Sequence, residues 1–273
     1  MSVLVLADLH LDRWLSEGRD PFAALDPDLL ASLDALFLAG DVANKPKVRW
    51  PKAFAHIGKY IDLRRVHVIP GNHDYYDFVL DDELRLAKLC FEHGPHLAQR
   101  SVYLNGGLRI LSCTLWTDFR LHGDPATAMQ VAQANMNDYR YIRLKNAGYR
   151  RIRPLDTANI HSDHRMWLEE RLAEPFAGRT VVVTHHCPHP DLLGDIRREV
   201  DPAYGSDLRF LIETAQPEAW LFGHTHYHAE TTVGRTTLRN VSLGYPDQVQ
   251  PAEEAKFLLR GLIDLSAQSE LPA

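Results

Sequence analysis

The sequence VLVLADLH, residues 3–10, joins a short apolar run to a carboxylate and an imidazole. The run is rich in Val and Leu, which is typical of a buried strand. Asp8 and His10 follow at the point where this strand would end. In α/β sheets the ligand site lies beyond the carboxyl ends of the strands, so this stretch predicts one side of a functional site.

Further apolar runs are followed by polar groups in the same way. Leu36–Ala39 precedes Gly40-Asp41, Val66–Ile69 precedes Pro70-Gly71-Asn72-His73-Asp74, Thr180–Val183 precedes Thr184-His185-His186, and Ala219–Phe222 precedes Gly223-His224-Thr225-His226. We expect these side chains to converge in space although they span most of the chain. We also expect the glycines before Asp41, Asn72 and His224 to let the backbone turn sharply into the site.

Segments with helical spacing separate the strands, and this alternation indicates an α/β layered domain. A sixth strand is predicted at Arg109–Cys113 and a late hairpin at Thr231–Leu243, with its turn at Gly234. We predict one domain over residues 1–265, an insertion or cap without a clear strand at about 117–159, and a loose tail at 266–273. The predicted helices are Asp28–Leu36, Pro51–Leu63, Asp82–Glu92, His164–Leu172 and Ser206–Thr214.

Composition excludes several classes of protein. The chain has 273 residues, of which 45% are hydrophobic and 24% are charged, as in an ordinary folded domain. A net charge of −6 argues against binding nucleic acid through bulk positive charge. Three scattered cysteines give neither a disulfide framework nor a four-sulfur zinc site and favour the reducing cytoplasm. We expect no membrane span and no secretory signal, and the sequence indicates no oligomeric state.

The polar groups at the strand ends are suited to metal ions. Carboxylate, imidazole and amide donors favour manganese, iron or zinc over a sulfur-loving ion. Seven such donors are too many for one tetrahedral zinc, but they suit two ions that share a carboxylate. Two neighbouring ions commonly serve in the hydrolysis of phosphate esters. We therefore expect two divalent ions, with manganese as first choice and iron, zinc or magnesium as alternatives.

The ordered blocks Asp-x-His, Gly-Asp, Gly-Asn-His-Asp, His and Gly-His-x-His resemble the calcineurin-like metallophosphoesterase superfamily. The resemblance runs from residue 8 to residue 226 and implies an αββα sandwich of two mixed sheets flanked by helices. It implies a metal-bridging hydroxide as nucleophile, with His73 steadying the phosphate and protonating the leaving oxygen. The implied ligands are Asp8, His10 and His226 for one metal, Asn72, His185 and His224 for the other, and Asp41 between them.

One block departs from the phosphoprotein phosphatase branch, in which it reads Gly-Asp-x-x-Asp-Arg-Gly. Here Asn44 stands where an Asp would orient the acid histidine, and Lys45 stands where an Arg would hold phosphate. Because Lys and Arg are not equivalent at a bidentate phosphate site, the Ser/Thr phosphoprotein phosphatase interpretation is weakened. The sequence leaves the partner of His73 unassigned.

The segment Tyr139–Leu155 is the main clue to the substrate. It contains basic residues and no acid before Leu155, with tyrosines between them: Arg140, Arg143, Lys145, Arg150, Arg151 and Arg153 with Tyr139, Tyr141 and Tyr149. It could be an anion-binding wall for a nucleotide or single-stranded nucleic acid, or a solvated basic face, and the sequence favours neither. Tyr75 and Tyr76 are either core aromatics or stacking residues, with the core favoured.

The other histidines have weaker signals. We expect His186, His189 and His228 to lie in a second layer or on the surface. His161 and His164 would share one helix face, and a solvated helix start is favoured over contact with the site. His224 and His226 would share one face of a strand, and Trp116 with Asp118 could form a pocket wall.

The sequence as a whole predicts a metal-dependent phosphodiesterase or phosphatase that acts on a phosphorylated small molecule or nucleotide, with nucleic acid less favoured. The alternative is a non-catalytic binding or scaffold module on the same fold. The complete ligand set argues against that alternative, because buried carboxylates and histidines without a metal would carry a desolvation cost. A metal-dependent peptidase or deaminase would need an HExxH or H-x-E…P-C-x-x-C block, and neither is present.

Overall fold

The computed structural model describes residues 2–194 and 199–264, so the predicted tail at 266–273 lies outside the described residues. Two mixed β-sheets pack face to face, with helices outside them, as the sequence predicts. The strands are β1 Ser2–Leu6, β2 Ala35–Ala39, β3 Val66–Ile69, β4 His96–Leu97, β5 Ser101–Asn105, β6 Leu108–Cys113, β7 Arg143–Leu144, β8 Arg150–Arg151, β9 Arg179–Thr184, β10 Ala219–Phe222, β11 Glu230–Val233, β12 Thr236–Asn240 and β13 Leu262–Asp264.

Helices connect the strands and cover the outer faces of both sheets. They are α1 Leu11–Trp14, α2 Pro27–Ser32, α3 Pro46–Ile57, α4 Glu83–His93, α5 Pro125–Asn135, α6 Asp138–Tyr141, α7 Pro154–Ala173, α8 Arg209–Ala215 and α9 Glu254–Leu258. The first sheet has the order β13-β1-β2-β3-β4, and the second has the order β11-β12-β10-β9-β6-β5. A two-stranded sheet of β7 and β8 stands apart from them.

The parallel strands determine where the site forms. β1, β2 and β3 run parallel in the first sheet, and β6, β9 and β10 run parallel in the second. A bridge between Ala7 and Ser242 connects the end of β1 to the segment that follows β12. The carboxyl ends of strands from both sheets therefore meet along one edge of the sandwich.

The alternation of side chains divides β1 between two cores. Val3 and Val5 pack between the sheets, where Phe37, Ile110 and Val183 also lie. Leu4 and Leu6 belong instead to the core between the first sheet and its helices. Because both faces of the strand are buried, it is apolar throughout rather than alternating with polar residues.

The predicted strands and the hairpin correspond closely to the structure, and Gly234 lies in the hairpin turn with φ 59°. The helix boundaries differ more. The helix predicted to start at His164 starts at Pro154, where the Asp156 carboxylate accepts a hydrogen bond from the Arg153 amide at 2.6 Å. The expectation of no strand in residues 117–159 is wrong. The β7–β8 pair is only two residues long on each side and arginine-rich, so no apolar run signals it.

Candidate metal centre

The seven predicted ligands lie together at the carboxyl ends of β1, β2, β3, β9 and β10. On one side, the Nε2 atom of His226 is 3.3 Å from Asp8 Oδ1 and 3.4 Å from His10 Nε2. On the other side, His185 Nε2 is 3.0 Å from Asn72 Oδ1. The sequence spacing alone could not give these distances, which join residues 113 to 218 positions apart.

Asp41 lies between the two groups. Its Oδ2 atom is 3.7 Å from His10 Nε2, and its Oδ1 atom is 3.5 Å from His185 Nε2. Candidate ligand atoms that all lie within 4.8 Å of one another form overlapping sets: Asp8, His10 and His226; Asp41, His185 and His224; and His10, Asp41 and His73. The third set shares His10 with the first and Asp41 with the second, which leaves Asp41 in the position that a shared carboxylate would need.

Several site residues adopt left-handed backbone conformations, which non-glycine residues rarely adopt. They are Asp8, His10, Asp41, His224 and His226, with φ between 39° and 68°. The prediction that His224 and His226 share one face of a strand is therefore wrong, because β10 ends at Phe222 and both histidines lie in the following loop. Such backbone strain is typical of functional sites, where the surrounding structure enforces it.

The glycines at the strand ends have different roles. Gly40 has φ 94° and makes the sharp turn that the sequence predicts. Gly71 has no such φ, but a Cβ atom there would lie 2.2 Å from Asp41 Oδ1. A Cβ atom on Gly223 would lie 2.4 Å from Asp8 Oδ2. These two glycines are needed because a carboxylate of the site packs directly against the backbone.

Asp74 holds two of the loops in register. Its carboxylate accepts hydrogen bonds from the backbone amides of Asp41 at 2.7 Å and Gly71 at 2.9 Å, and from Trp50 Nε1 at 2.9 Å. Burial raises the pKa of Asp74 to about 6, and these hydrogen bonds oppose that rise. Asp74 does not contact the ring of its sequence neighbour His73, whose hydrogen-bond partner lies elsewhere.

That partner is Asn44, which the sequence left open. The Nδ1 atom of His73 lies 2.9 Å from Asn44 Oδ1, so the amide oxygen accepts the Nδ1 proton. The other ring nitrogen, Nε2, faces the site at 4.0 Å from Asp41 Oδ2. Tyr76 stacks on the His73 ring with centroids 4.3 Å apart. An amide thus occupies the place that an aspartate has in the phosphoprotein phosphatase block.

Asp138 is a site residue that the sequence reasoning missed. It lies at the start of α6, is 3% exposed, and accepts hydrogen bonds from Asn72 Nδ2 at 2.8 Å and from Tyr76 Oη at 2.7 Å. Because the amide nitrogen of Asn72 is held by Asp138, its oxygen must point towards His185. The only available signal was an acidic residue inside the insertion, which does not reveal a partner 66 positions away.

The electrostatics show buried carboxylates beside imidazoles that are mostly neutral, with His226, whose pKa is raised beside Asp8 although burial opposes the rise, as the exception. Burial raises the pKa of Asp41 well above its usual range, and the nearby Asp8 and Asp74 carboxylates raise it further. The pKa of Asp8 is lowered despite burial, because the adjacent His226 imidazole stabilises its charge. Burial lowers the pKa of His10, His185 and His224, so these rings are neutral and can offer lone pairs. Neutral imidazoles beside buried carboxylates fit a divalent cation.

Two buried polar atoms at the centre test this fit directly. Asp8 Oδ1 and His224 Nε2 are inaccessible to solvent and have no hydrogen-bond partner among residues 2–194 and 199–264. An unpaired buried carboxylate oxygen costs several kcal/mol unless a cation or donor compensates it. The other oxygen of Asp8 is satisfied by the His224 amide at 2.8 Å and the Ser242 hydroxyl at 2.6 Å. The residues present therefore fit a bound metal.

Comparison with known proteins agrees with this geometry. The family model for calcineurin-like phosphoesterases matches residues 1–228. The chain belongs to the calcineurin-like phosphoesterase family. An uncharacterized protein of Acanthamoeba polyphaga mimivirus is 24% identical over 265 residues, covering 88% of this chain and 90% of that protein. A cAMP/cGMP dual specificity phosphodiesterase of Mycobacterium tuberculosis is 24% identical over 249 residues, covering 84% of this chain and 63% of the phosphodiesterase.

A solved structure supports the fold of this calcineurin-like phosphoesterase. The phosphopantetheinyl hydrolase of Mycobacterium tuberculosis superposes with a TM-score of 0.68 at 19% identity, covering 90% of both chains. A Thermus thermophilus protein superposes with a TM-score of 0.52 at 14% identity, covering 89% of both chains. These similarities confirm the predicted two-sheet architecture.

A cavity of about 370 Å³ opens from the metal centre of this phosphoesterase. Tyr204 stacks on His224 with centroids 4.7 Å apart, and Tyr245 stacks on His10 at 4.4 Å. The sequence reasoning missed these wall residues, because aromatic residues in loops carry no spacing signal. Further residues of the wall are Tyr76, Asn135, Met136, Asn137 and Gln248.

The secondary histidines differ from expectation. His161 and His164 are not at a solvated helix start but are 2% and 1% exposed. His161 Nδ1 lies 3.2 Å from the Trp116 carbonyl, and His164 Nδ1 accepts from the Leu115 amide at 3.1 Å. Both histidines connect α7 to the loop after β6. The buried backbone groups of that loop need polar partners, and the two imidazole rings provide them.

His186 and the aromatic residues near it are packed inside. The His186 ring lies 4.3 Å from the His224 ring and 5.0 Å from Trp116, so His186 belongs to a second layer behind the ligands. Trp116 is therefore behind the site and does not line the cavity described above, nor does Asp118. Tyr75 and Tyr76 are both buried, as favoured from the sequence, and Tyr76 also lines the cavity.

His189 and His228 lie further from the ligands. His189 is 4% exposed and accepts a hydrogen bond from the Asp191 amide at 3.2 Å. His228 stacks on Phe257 with centroids 4.0 Å apart. Neither contacts a predicted ligand. Within the described part of the chain, no helix is long and apolar enough to cross a membrane.

Proposed function

We propose that this protein is a two-metal phosphoesterase that hydrolyses a phosphate mono- or diester of a small or nucleotide-like alcohol. The observation that carries the proposal is the position of Asp41, of which one oxygen lies 3.7 Å from His10 Nε2 and the other 3.5 Å from His185 Nε2. A carboxylate that offers one oxygen to each of two neighbouring ions can be a ligand to both of them. Membership of the family supports phosphoester hydrolysis in general.

The residues present would hold the ions as two sets. Asp8, His10 and His226 would bind one ion, Asn72, His185 and His224 would bind the other, and Asp41 would bind both. Manganese is our first choice, and iron, zinc or magnesium would be accepted by the same donors. When bound, the ions supply a lowered water pKa, two positive charges for phosphate oxygens, and neutralisation of charge in the transition state.

The chain itself orients the acid. Asn44 holds His73 by Nδ1, so Nε2 points into the cavity where a leaving oxygen would lie. Burial lowers the pKa of His73 to about 3, and His185 nearby contributes, so the ring is neutral without substrate. A bound phosphate would favour the protonated ring through its negative charge. His73 would then donate the Nε2 proton to the leaving alkoxide.

Two relatives support an ester of a small molecule. The Mycobacterium tuberculosis relative is a cAMP/cGMP phosphodiesterase, and the phosphopantetheinyl hydrolase shares the fold, so hydrolysis of small phosphate esters is compatible with both similarities. The three tyrosines of the cavity, Tyr76, Tyr204 and Tyr245, would accept a flat or apolar alcohol group beside the phosphate. We therefore favour a small or nucleotide-like ester over a phosphoprotein.

The test compares 4-nitrophenyl phosphate with bis(4-nitrophenyl) phosphate, using chelator-treated protein and then added Mn²⁺. We expect hydrolysis only after Mn²⁺ is added, and loss of turnover in Asp41→Asn and His224→Ala with unchanged circular dichroism. His96→Ala is the matched control, because His96 is exposed and its ring neighbours include Arg64 and His67, neither of which is a predicted ligand. Hydrolysis that is unaffected by chelator would refute the proposal.

The alternative, a non-catalytic binding module, is separated by metal content. Protein that binds two Mn²⁺ ions and turns over neither ester would favour that alternative. The unpaired Asp8 oxygen and His224 nitrogen argue against it, because a site relieved of metal binding would be expected to replace them with paired or apolar groups.

A further inference from the structure

The basic segment of the insertion forms a cleft of its own. The cleft has a volume of about 510 Å³. Gln133 and the buried Tyr139 and Ile152 line it together with four arginines. The arginines are Arg140, Arg150, Arg151 and Arg153. Arg140 lies in α6, Arg150 and Arg151 form β8, and Arg153 precedes α7, and together these elements bring the four arginines to one cleft. Other basic residues of the segment do not contribute, since Lys145 pairs with Asp82 at 3.0 Å and Arg143 donates to the Tyr149 carbonyl.

The charge of the cleft is mostly uncompensated. Asp156 binds Arg150 with two hydrogen bonds of 2.8 Å, and it is the only carboxylate paired with any of the four arginines within residues 2–194 and 199–264. Arg140 donates to neutral oxygens, those of the Ala134 carbonyl and the Asn137 side chain. Arginines elsewhere on this acidic protein often face a carboxylate, as Arg209 faces Asp207. Three guanidinium groups of the cleft can therefore bind an anion without first breaking an ion pair.

The cleft adjoins the cavity above the metal centre. The segment 133–140 contributes to both openings. The cavity is lined by Asn135, Met136 and Asn137 of this segment. The cleft is lined by Gln133, Tyr139 and Arg140 of the same segment. Arg140 reaches across this stretch, with its Nη1 atom 3.4 Å from Asn137 Oδ1. A substrate with one phosphate at the metal centre could extend over residues 135–137 and place another anionic group among the arginines.

We propose that the arginine cleft is a second anion subsite, and that the substrate is a phosphoester carrying at least one further phosphate beyond the scissile one. The proposal rests on the proposed function for the scissile phosphate. Planar guanidinium groups bind phosphate oxygens in pairs, which makes arginine suited to this task. The subsite selects among phosphoesters by length and charge, whereas the metal centre performs the same hydrolysis on all of them.

A binding measurement tests the cleft apart from catalysis. Tripolyphosphate is titrated by calorimetry into metal-free protein, in which the carboxylate-rich metal centre repels anions. We expect binding by the wild type, and at least tenfold weaker binding by Arg151→Gln/Arg153→Gln. The control Arg64→Gln/Arg209→Gln makes the same change in net charge at two exposed, salt-bridged arginines outside the cleft. Equal affinity of the wild type and the cleft variant, or equal weakening by the control, would overturn the subsite.

A kinetic measurement tests the link to the metal centre. The substrates are the 4-nitrophenyl ester of thymidine 5′-phosphate and the same ester lengthened by two 3′-linked nucleotides, which adds phosphates at two distances. With Mn²⁺ we expect a KM about tenfold lower for the longer ester, and the advantage should disappear in the cleft variant and at high salt. The KM and kcat of the short ester should not change in that variant.

The outcomes separate the two proposals. Equal KM values for the two esters in the wild type, or an advantage that survives in the cleft variant, would overturn the subsite even if hydrolysis occurs. No hydrolysis of either ester or of 4-nitrophenyl phosphate with Mn²⁺, together with tripolyphosphate binding that depends on Arg151 and Arg153, would overturn the proposed function while supporting an anion-binding cleft.

Discussion

Removing the Asp138 carboxylate should weaken metal binding without removing any ligand. In Asp138→Ala the amide of Asn72 loses its 2.8 Å hydrogen bond and can rotate, presenting nitrogen rather than oxygen to the centre. Changes to a group that orients a ligand typically cost 10- to 100-fold in metal affinity. That range corresponds to about 1.4–2.7 kcal/mol of binding free energy. Calorimetric titration of Mn²⁺ into metal-free protein measures it directly.

Two further variants separate orientation from general damage. Tyr76→Phe removes the other hydrogen bond to the same Asp138 oxygen but leaves Asn72 held, so its Mn²⁺ affinity should stay within about threefold of the wild type. Asp138→Asn keeps an acceptor oxygen without the charge and should fall between the wild type and the alanine variant. Wild-type affinity at both sites in Asp138→Ala would refute the reasoning, as would an equal loss in Tyr76→Phe.

Three more outcomes follow from the site. Gly71→Ala should lower Mn²⁺ affinity at least tenfold, because the new Cβ would meet Asp41 Oδ1 at 2.2 Å. The control Gly107→Ala lies in open space with φ 85°, so it should lower stability and leave the Mn²⁺ affinity unchanged. Calorimetric titration measures the affinity, and thermal melting measures the stability. Mn²⁺ affinity should rise with pH and binding should release a proton, because the raised pKa of Asp41 keeps that carboxyl protonated to higher pH in the metal-free protein. Calorimetric titration in buffers of different ionisation enthalpy measures the released proton. A Mn²⁺ affinity that does not change from pH 5 to 8 would contradict this prediction. His73→Ala should lower kcat about 10²- to 10⁴-fold with unchanged metal content, and the loss should be larger on an alkyl ester, whose leaving oxygen needs a proton, than on a 4-nitrophenyl ester. Asn44→Ala should show the same dependence on the ester with a smaller loss, because Asn44 orients His73. Equal losses of kcat on both esters would exclude an acid role for His73.

The sequence predicted the ligands because one local rule applies to each of them. Each follows an apolar strand, and parallel strands end at a common edge, so convergence did not require knowledge of the loops. The same rule could not give the backbone of His224 and His226. Their left-handed conformations occur where Asp8 packs against Gly223 and accepts a hydrogen bond from the His224 amide, and both contacts join distant parts of the chain.

Residues that act through another residue were beyond the reach of the sequence. Asn44 looked like the loss of an orienting aspartate, yet its oxygen lies 2.9 Å from His73 Nδ1. Asp138 lies in an insertion that has no motif, and its partner Asn72 lies in the loop after β3, 66 positions earlier in the chain. Positioning of this kind depends on where two loops are placed relative to each other, and neither composition nor periodicity determines that placement.

The four buried carboxylates near the centre show how structural and ligand roles can be told apart. Burial is similar for all of them, with exposure between 0% and 3%. Asp74 and Asp138 are surrounded by N–H and O–H donors, which compensate their charge without a metal. Asp8 and Asp41 also accept hydrogen bonds, but in addition they present oxygens to imidazole nitrogens at 3.3–3.7 Å.

The rings of His10 and His185 are neutral, and a neutral imidazole nitrogen with a free lone pair cannot compensate the Asp41 carboxylate, so this group needs a cation. His226 stabilises the charge of Asp8 but leaves its Oδ1 atom without a hydrogen bond, so a cation fits there as well. The chemistry of the groups around each carboxylate, rather than its depth in the protein, therefore favours Asp8 and Asp41 as candidate ligands and Asp74 and Asp138 as supports. The same criterion explains why a variant at Asp138 should weaken metal binding by degrees, whereas a variant at Asp41 should abolish turnover.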